Sequence, residues 1–190
     1  MTPEQHDEQL LMLEAEQRRL ERLATQHERI YRIRHLGQRR RGGAWTTLDG
    51  SPATLPIDDS DAAQRFMASI AEVESIRNRI AEHEQSYTGW SRFRLVTSSN
   101  DGHVHGRSDC RTFRSATKTV VVPGLSDKAV DDVVALLGPV CCGVCLPGAV
   151  GTAKIPSSLV SVLVRRGSDA FTAALNRRAA LRPNRRDDAS

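Results

Sequence analysis

The sequence predicts an α+β protein that opens with helices and closes on a small mixed module. Three observations carry this. Residues 3–36 and 60–87 place apolar side chains at helical spacing among Glu, Gln and Arg. Short β-prone runs bounded by turn residues follow position 90. All four cysteines and two of the six histidines fall between positions 103 and 145.

The first stretch carries Leu10, Leu13, Leu20, Leu23, Ile30 and Ile33 on one expected face. It holds no Gly before Gly37, and its one proline, Pro3, stands where a helix tolerates it. Gly37, Gly42 and Gly43 end it, and residues 37–58 read as a loop rich in Gly, Pro, Ser and Thr. Asp59, Ser60 or Asp61 then caps a second helix. Phe66, Val73, Ile80 and Tyr87 recur there every seven residues, with Ile70 and Ile76 between them. Two such helices joined by a loop predict an antiparallel, coiled-coil-like hairpin. Its narrow stripes can satisfy each other, pair with a second copy, or clasp a partner helix.

Thr88-Gly89 ends the second helix, and Phe93 to Thr97 reads as a strand. Asn100-Asp101-Gly102 signals a turn, and His103-Val104-His105 a return strand. Thr119 to Val122 is a further β-prone run. Ser126-Asp127 is the expected cap of a helix to Leu137, with Val130, Val133, Val134 and Leu137 on one face. Gly138-Pro139 stops it ahead of Cys142-Gly143-Val144-Cys145. The expected divisions are 1–88 for the helical hairpin, 89–154 for the cysteine-containing module, 155–182 for a basic helical segment and 183–190 for a disordered tail.

A Cys-x-x-Cys turn offers two thiolates from one tight loop. Cys110 supplies a third, and a histidine from His103-Val104-His105 a fourth donor. Three thiolates and one imidazole form the tetrahedral set that a structural zinc ion takes. His105, nearer Cys110, is the expected ligand; His103, two residues away on the same strand face, is the alternative. Cys141 adjoins Cys142 and reads as a buried thiol outside the set. Four protein ligands leave no open position for catalysis, and no Glu lies beside either histidine to act as a base. An iron–sulfur cluster calls for a fourth, better placed cysteine.

Charge is uneven along the chain. Residues 44–90 hold three Arg against eight Asp and Glu, whereas residues 155–190 hold seven Arg against three Asp. Around the module stand Arg92, Arg94, Arg107, Arg111, Arg114 and Lys118, with Arg165, Arg166, Arg177 and Arg178 behind them. Such charge suits phosphate contact, with Arg107, Arg111 and Arg114 the expected nucleic-acid residues, although solvated arginine is as good an explanation. A polar N-terminus and the absence of a long apolar run predict a cytoplasmic protein.

The module has a resemblance. Gly89-Trp90-Ser91-Arg92-Phe93-Arg94-Leu95-Val96-Thr97-Ser98-Ser99-Asn100, followed by Gly102-His103-Val104-His105, Cys110 and Cys142-Gly143-Val144-Cys145-Leu146-Pro147, resembles a family of small proteins encoded by actinobacterial phages and their hosts. The family's function is not established. The resemblance covers residues 60–150. It implies a zinc-ribbon or treble-clef-like module behind a helical N-terminus, in a host cytosol, and lends no activity. Relatives often carry a second cysteine three places after the one matching Cys110; Phe113 stands there in this chain, which favours a histidine ligand. The functions expected are therefore a zinc-stabilised, non-enzymatic binder of nucleic acid or a host protein, or an adaptor acting through the helical hairpin alone. A metal-dependent nuclease built on His103 and Asn100 is the third reading, and the lack of any histidine after His105 weighs against it.

Overall fold

The computed structural model describes residues 1–97, 103–114 and 117–149, and beyond them 155, 159, 160, 162–164, 173, 174 and 177. It is an α+β fold with a long N-terminal helix and two small antiparallel sheets. The chain divides into two compact units, residues 12–86 and residues 1–11 together with 87–190. The first eleven residues, expected with the helical hairpin, thus group with the cysteine-containing module.

In the 12–86 unit, α1 (Pro3–Ile30) continues through a π-helical turn, Tyr31–His35. α2 (Asp61–Glu84) starts at Ser60, whose Oγ accepts from the Ala63 N–H at 3.2 Å. The helices pack in opposite directions. Tyr31 stacks with Phe66, and Glu21 meets Arg77 at 3.1 Å. Leu20, Ala24, Val73 and Ile76 are buried between them, with Leu13, Ile70 and Ile80 at the margin.

Two expectations fail at helix ends for identifiable reasons. Ile33 is exposed, and Tyr31 and Arg32 are buried instead. The wide turn carries more residues than an α-turn, so the stripe leaves its 3.6-residue period there. The Tyr31 hydroxyl donates to the Pro56 carbonyl at 2.7 Å. Tyr87 lies beyond the end of α2, donates its hydroxyl to the Trp90 carbonyl at 2.6 Å, and does not extend the heptad face.

The segment read as a loop contains a two-stranded hairpin, β1 (Arg39–Arg41) and β2 (Ala44–Thr46). Arg40 faces Trp45 across it. Gly42 and Gly43 both have positive φ, 54° and 89°, the backbone that a two-residue hairpin turn needs.

In the other unit, β3 (Arg94–Val96) lies between β4 (Val104–His105) and β5 (Thr119–Val121), antiparallel to both. α3 (Val130–Leu137) covers this sheet's core with Val133 and Leu137. Phe93, Leu95, Val104, Val120, Leu125 and Leu146 complete the buried cluster. The expected turn at Asn100-Asp101-Gly102 lies outside the described residues. So do Arg165, Arg166, Arg178 and the tail 183–190. Within the expected C-terminal helix, the described positions 159, 160, 162–164, 173, 174 and 177 are helical. Ile155, Leu159 and Leu163 join the buried cluster.

Ser126 does not cap α3; Ala129 occupies that place without a side-chain bond. Ser126 Oγ donates instead to Asp7 at 2.5 Å. Asp7 is fully buried and also accepts from Arg92 at 2.8 Å. The first turns of α1 are therefore tied to the module by charge-assisted bonds. No helix among the described residues is long and apolar enough to cross a membrane.

Candidate metal centre

Three local structures bring the donors together. His105 ends β4, which the sheet holds in register through the Arg94–His105 pairing. Cys110 opens a turn closed by the Phe113 N–H on the Cys110 carbonyl at 2.8 Å. Cys142 and Cys145 flank a turn closed by the Leu146 N–H on the Cys142 carbonyl at 3.0 Å. This second turn is stitched to β4, because the Cys142 N–H donates to the Val104 carbonyl at 2.9 Å. Val104 and Cys141 also pair as a parallel bridge.

The ligand atoms of His105, Cys110, Cys142 and Cys145 all lie within 4.8 Å of one another, so these residues can hold a metal ion. Two separations test the fit. Bonds of about 2.3 Å to sulfur and roughly 2.0 Å to nitrogen, arranged tetrahedrally, place two sulfurs about 3.8 Å apart and a sulfur and a nitrogen about 3.5 Å apart. Cys110 and Cys142 Sγ are 3.9 Å apart, and Cys145 Sγ lies 3.5 Å from His105 Nδ1. Both separations suit one small tetrahedral ion, and Nδ1 is the His105 nitrogen that lies toward Cys145.

The surroundings ease ligation at His105 and Cys110 and oppose it at Cys145. Burial, then the charge of His103, pulls the His105 imidazole down to about 4, so the ring is neutral and ready to donate a lone pair. Burial pushes the Cys145 thiol up to about 12, against a backbone hydrogen bond from Gly106 and together with the charge of Cys142. Burial also raises the Cys110 thiol, but bonds from the Thr112 hydroxyl and backbone and from the neighbouring thiols outweigh it and hold Cys110 below its ordinary value. The Thr112 hydroxyl lies 3.2 Å from Cys110 Sγ. Phe113 packs its ring 4.5 Å from that of His105. Phe113 thus packs against the one histidine of the cluster.

His103 is not part of the cluster. Its ring centre is 6.5 Å from that of His105, and its Nδ1 is buried without a partner. Cys141 is also apart, fully buried, its sulfur 3.8 Å from the Val133 carbonyl. Burial and then the Cys142 charge raise its thiol to about 11.

Comparison with known protein families, with curated proteins and with solved structures finds no match. The chemistry of the site therefore rests on its own geometry.

The expected nucleic-acid residues divide. Arg111 and Arg114 are exposed. Arg107 is exposed but engaged, donating from Nε and from one Nη to the two Asp109 oxygens at 3.0 Å each. Arg92, counted with them in the sequence, is committed to Asp7. Sequence reasoning missed Gly106, which underlies the Cys145 turn: a Cβ there would lie 2.7 Å from Leu146 Cδ2. The local signal was a glycine directly after His105, where the Leu146 side chain packs against the backbone and leaves no room for a Cβ.

Proposed function

We propose that the protein is a non-enzymatic binding protein whose C-terminal unit is a zinc-ribbon-like or treble-clef-like module folded around one structural zinc ion. One observation carries this reading: four protein donors, three of them sulfur, lie within 4.8 Å of one another, and two of their separations, 3.9 and 3.5 Å, suit a tetrahedral zinc ion. When bound, zinc would supply folding energy, and four protein ligands leave it no position for substrate. The resemblance of residues 60–150 supports an origin in phages or other mobile elements. The nuclease reading draws on Asn100, which lies outside the described residues.

Nucleic acid is the partner class proposed for the module, through phosphate contacts from Arg111 and Arg114, joined by Arg107 when it exchanges Asp109 for a phosphate. The second reading is an adaptor that engages a host protein through the helical hairpin. Exposed Met12 and Met67 on α1 and α2 favour it. A gel-shift titration of the full chain with mixed-sequence DNA at low salt separates the two. Binding at micromolar protein, weakened by the triple change of Arg107, Arg111 and Arg114 to Ala, supports the nucleic-acid reading. No shift leaves the adaptor.

A further inference from the structure

The 12–86 unit holds none of the metal ligands, yet it carries the only three consecutive arginines of the sequence, Arg39, Arg40 and Arg41. All three are exposed on β1. Between this hairpin and α1 lies a cleft of about 540 Å³ lined by Trp45, Arg29, Arg39 and Arg40, with Glu28 and Gln38.

The cleft's one acidic side chain is already neutralised. Glu28 accepts from Arg32 Nε at 2.8 Å, and Arg32 also donates to Gln38 at 2.8 Å. Arg32 lies over the Trp45 ring, 5.2 Å from its centre, and so fixes the indole from one side. Among the described residues, Arg29 and Arg39 make no ion pair or hydrogen bond, and Arg40 makes one bond of 3.3 Å, to the Gly43 carbonyl. Three cations line the cleft that holds this braced, half-buried ring, with Arg40 directly across the hairpin from it. Shielding a strand edge from aggregation calls for charge alone and does not account for the ring or the cleft.

We propose that this hairpin and cleft bind single-stranded nucleic acid, with an unpaired base stacked on Trp45 and the neighbouring phosphates held by Arg29, Arg39 and Arg40. Stacking on an aromatic ring beside cationic side chains is the general recipe for gripping a single strand with little sequence preference. A duplex keeps its bases paired and offers no free face to a recessed indole. This surface is independent of the zinc reading, since it shares no residue with the metal centre.

The test uses the full chain and an oligothymidylate of about twelve nucleotides, within the usual range for one such surface. Binding is followed by intrinsic tryptophan fluorescence and by anisotropy of the labelled strand. Quenching on addition of the strand is expected, with affinity falling as salt rises. Trp45→Ala should weaken binding by about tenfold and Trp45→Phe by less. Changing Arg39 and Arg40 together to Ala should weaken it further and reduce the salt slope by roughly 1.4, about 0.7 per lost contact. Changing Arg79 to Ala, an exposed arginine of α2 outside the cleft, should leave both values in place. If Trp45→Ala unfolds the unit, the wild-type quench and the arginine pair still decide. The proposal is overturned by a missing quench, by duplex bound more tightly than the single strand, or by an arginine pair without effect. Equal competition by polyglutamate would overturn it too, and would point to an acidic protein instead.

Discussion

Asp7 and Arg92 form a buried ion pair, 2.8 Å long, between the second turn of α1 and the segment that leads into β3. Ser126 completes it from the far side of the sheet's core sequence, donating to the other carboxylate oxygen. The Trp90 indole N–H also points at Asp7, at 3.4 Å. Residues more than eighty positions further along the chain thus meet at the Asp7 carboxylate.

Asp7→Ala should destabilise the C-terminal unit by about 3–5 kcal/mol, because it strands a buried guanidinium. Asp7→Asn should cost less, since the amide oxygen can still accept one bond. Urea denaturation followed by near-ultraviolet dichroism would measure both. Equal stability of Asp7→Ala and wild type would mean that the pair does not anchor the helix start.

Gly106→Ala should cost about 1–3 kcal/mol through overpacking against Leu146, which is fully buried. The added methyl would also push on the backbone that bonds Cys145. Leu146→Val in the same chain should recover part of the loss, and a thermal melt of the single and double variants would show whether it does. Purely additive losses would place the strain elsewhere.

The helices and the His105, Cys110, Cys142 and Cys145 cluster were legible in the sequence because each has a local signature. Apolar spacing marks α1 and α2, and Cys-x-x-Cys with a nearby histidine and cysteine marks the cluster that could hold a metal ion. The Asp7–Arg92–Ser126 cluster had none: polar side chains far apart in sequence leave no periodic trace. The β1–β2 hairpin was missed because arginines, not alternating apolar residues, flank its Gly-Gly turn, although the glycines themselves were the cue. Ile33 was misplaced because a π-helical turn cannot be read from a stripe that assumes constant pitch.

His105 and His103 should behave differently. His105→Ala removes a donor that lies within the cluster and should abolish tight metal binding. His103→Ala should leave one ion per chain. A competition titration with a chromogenic chelator ranks the two, and the reverse order would exchange their roles.

Metal affinity should rise with pH. The His105 imidazole, held near 4 by burial and His103, gives up no proton on binding above about pH 6. Cys145, raised to about 12, still carries its proton at neutral pH and must release it. Affinity should therefore climb by at least about tenfold per pH unit around neutrality for each proton released. In the folded chain protons compete for the imidazole only as the pH falls toward 4, whereas folding stability, because the folded value is depressed, is complete above 6.5 and lost as the pH falls from there toward 4. Calorimetric titrations in buffers of different ionisation enthalpy would count the protons, and a count of zero would contradict this assignment.

Native mass spectrometry of the full chain, paired with elemental analysis, tests the metal centre most directly. The account predicts one zinc ion per chain, lost on denaturation and absent from Cys142→Ser and Cys145→Ser, with Cys141→Ser retaining it. A chain that folds and melts identically with and without metal, or one whose zinc survives loss of Cys142, would contradict it.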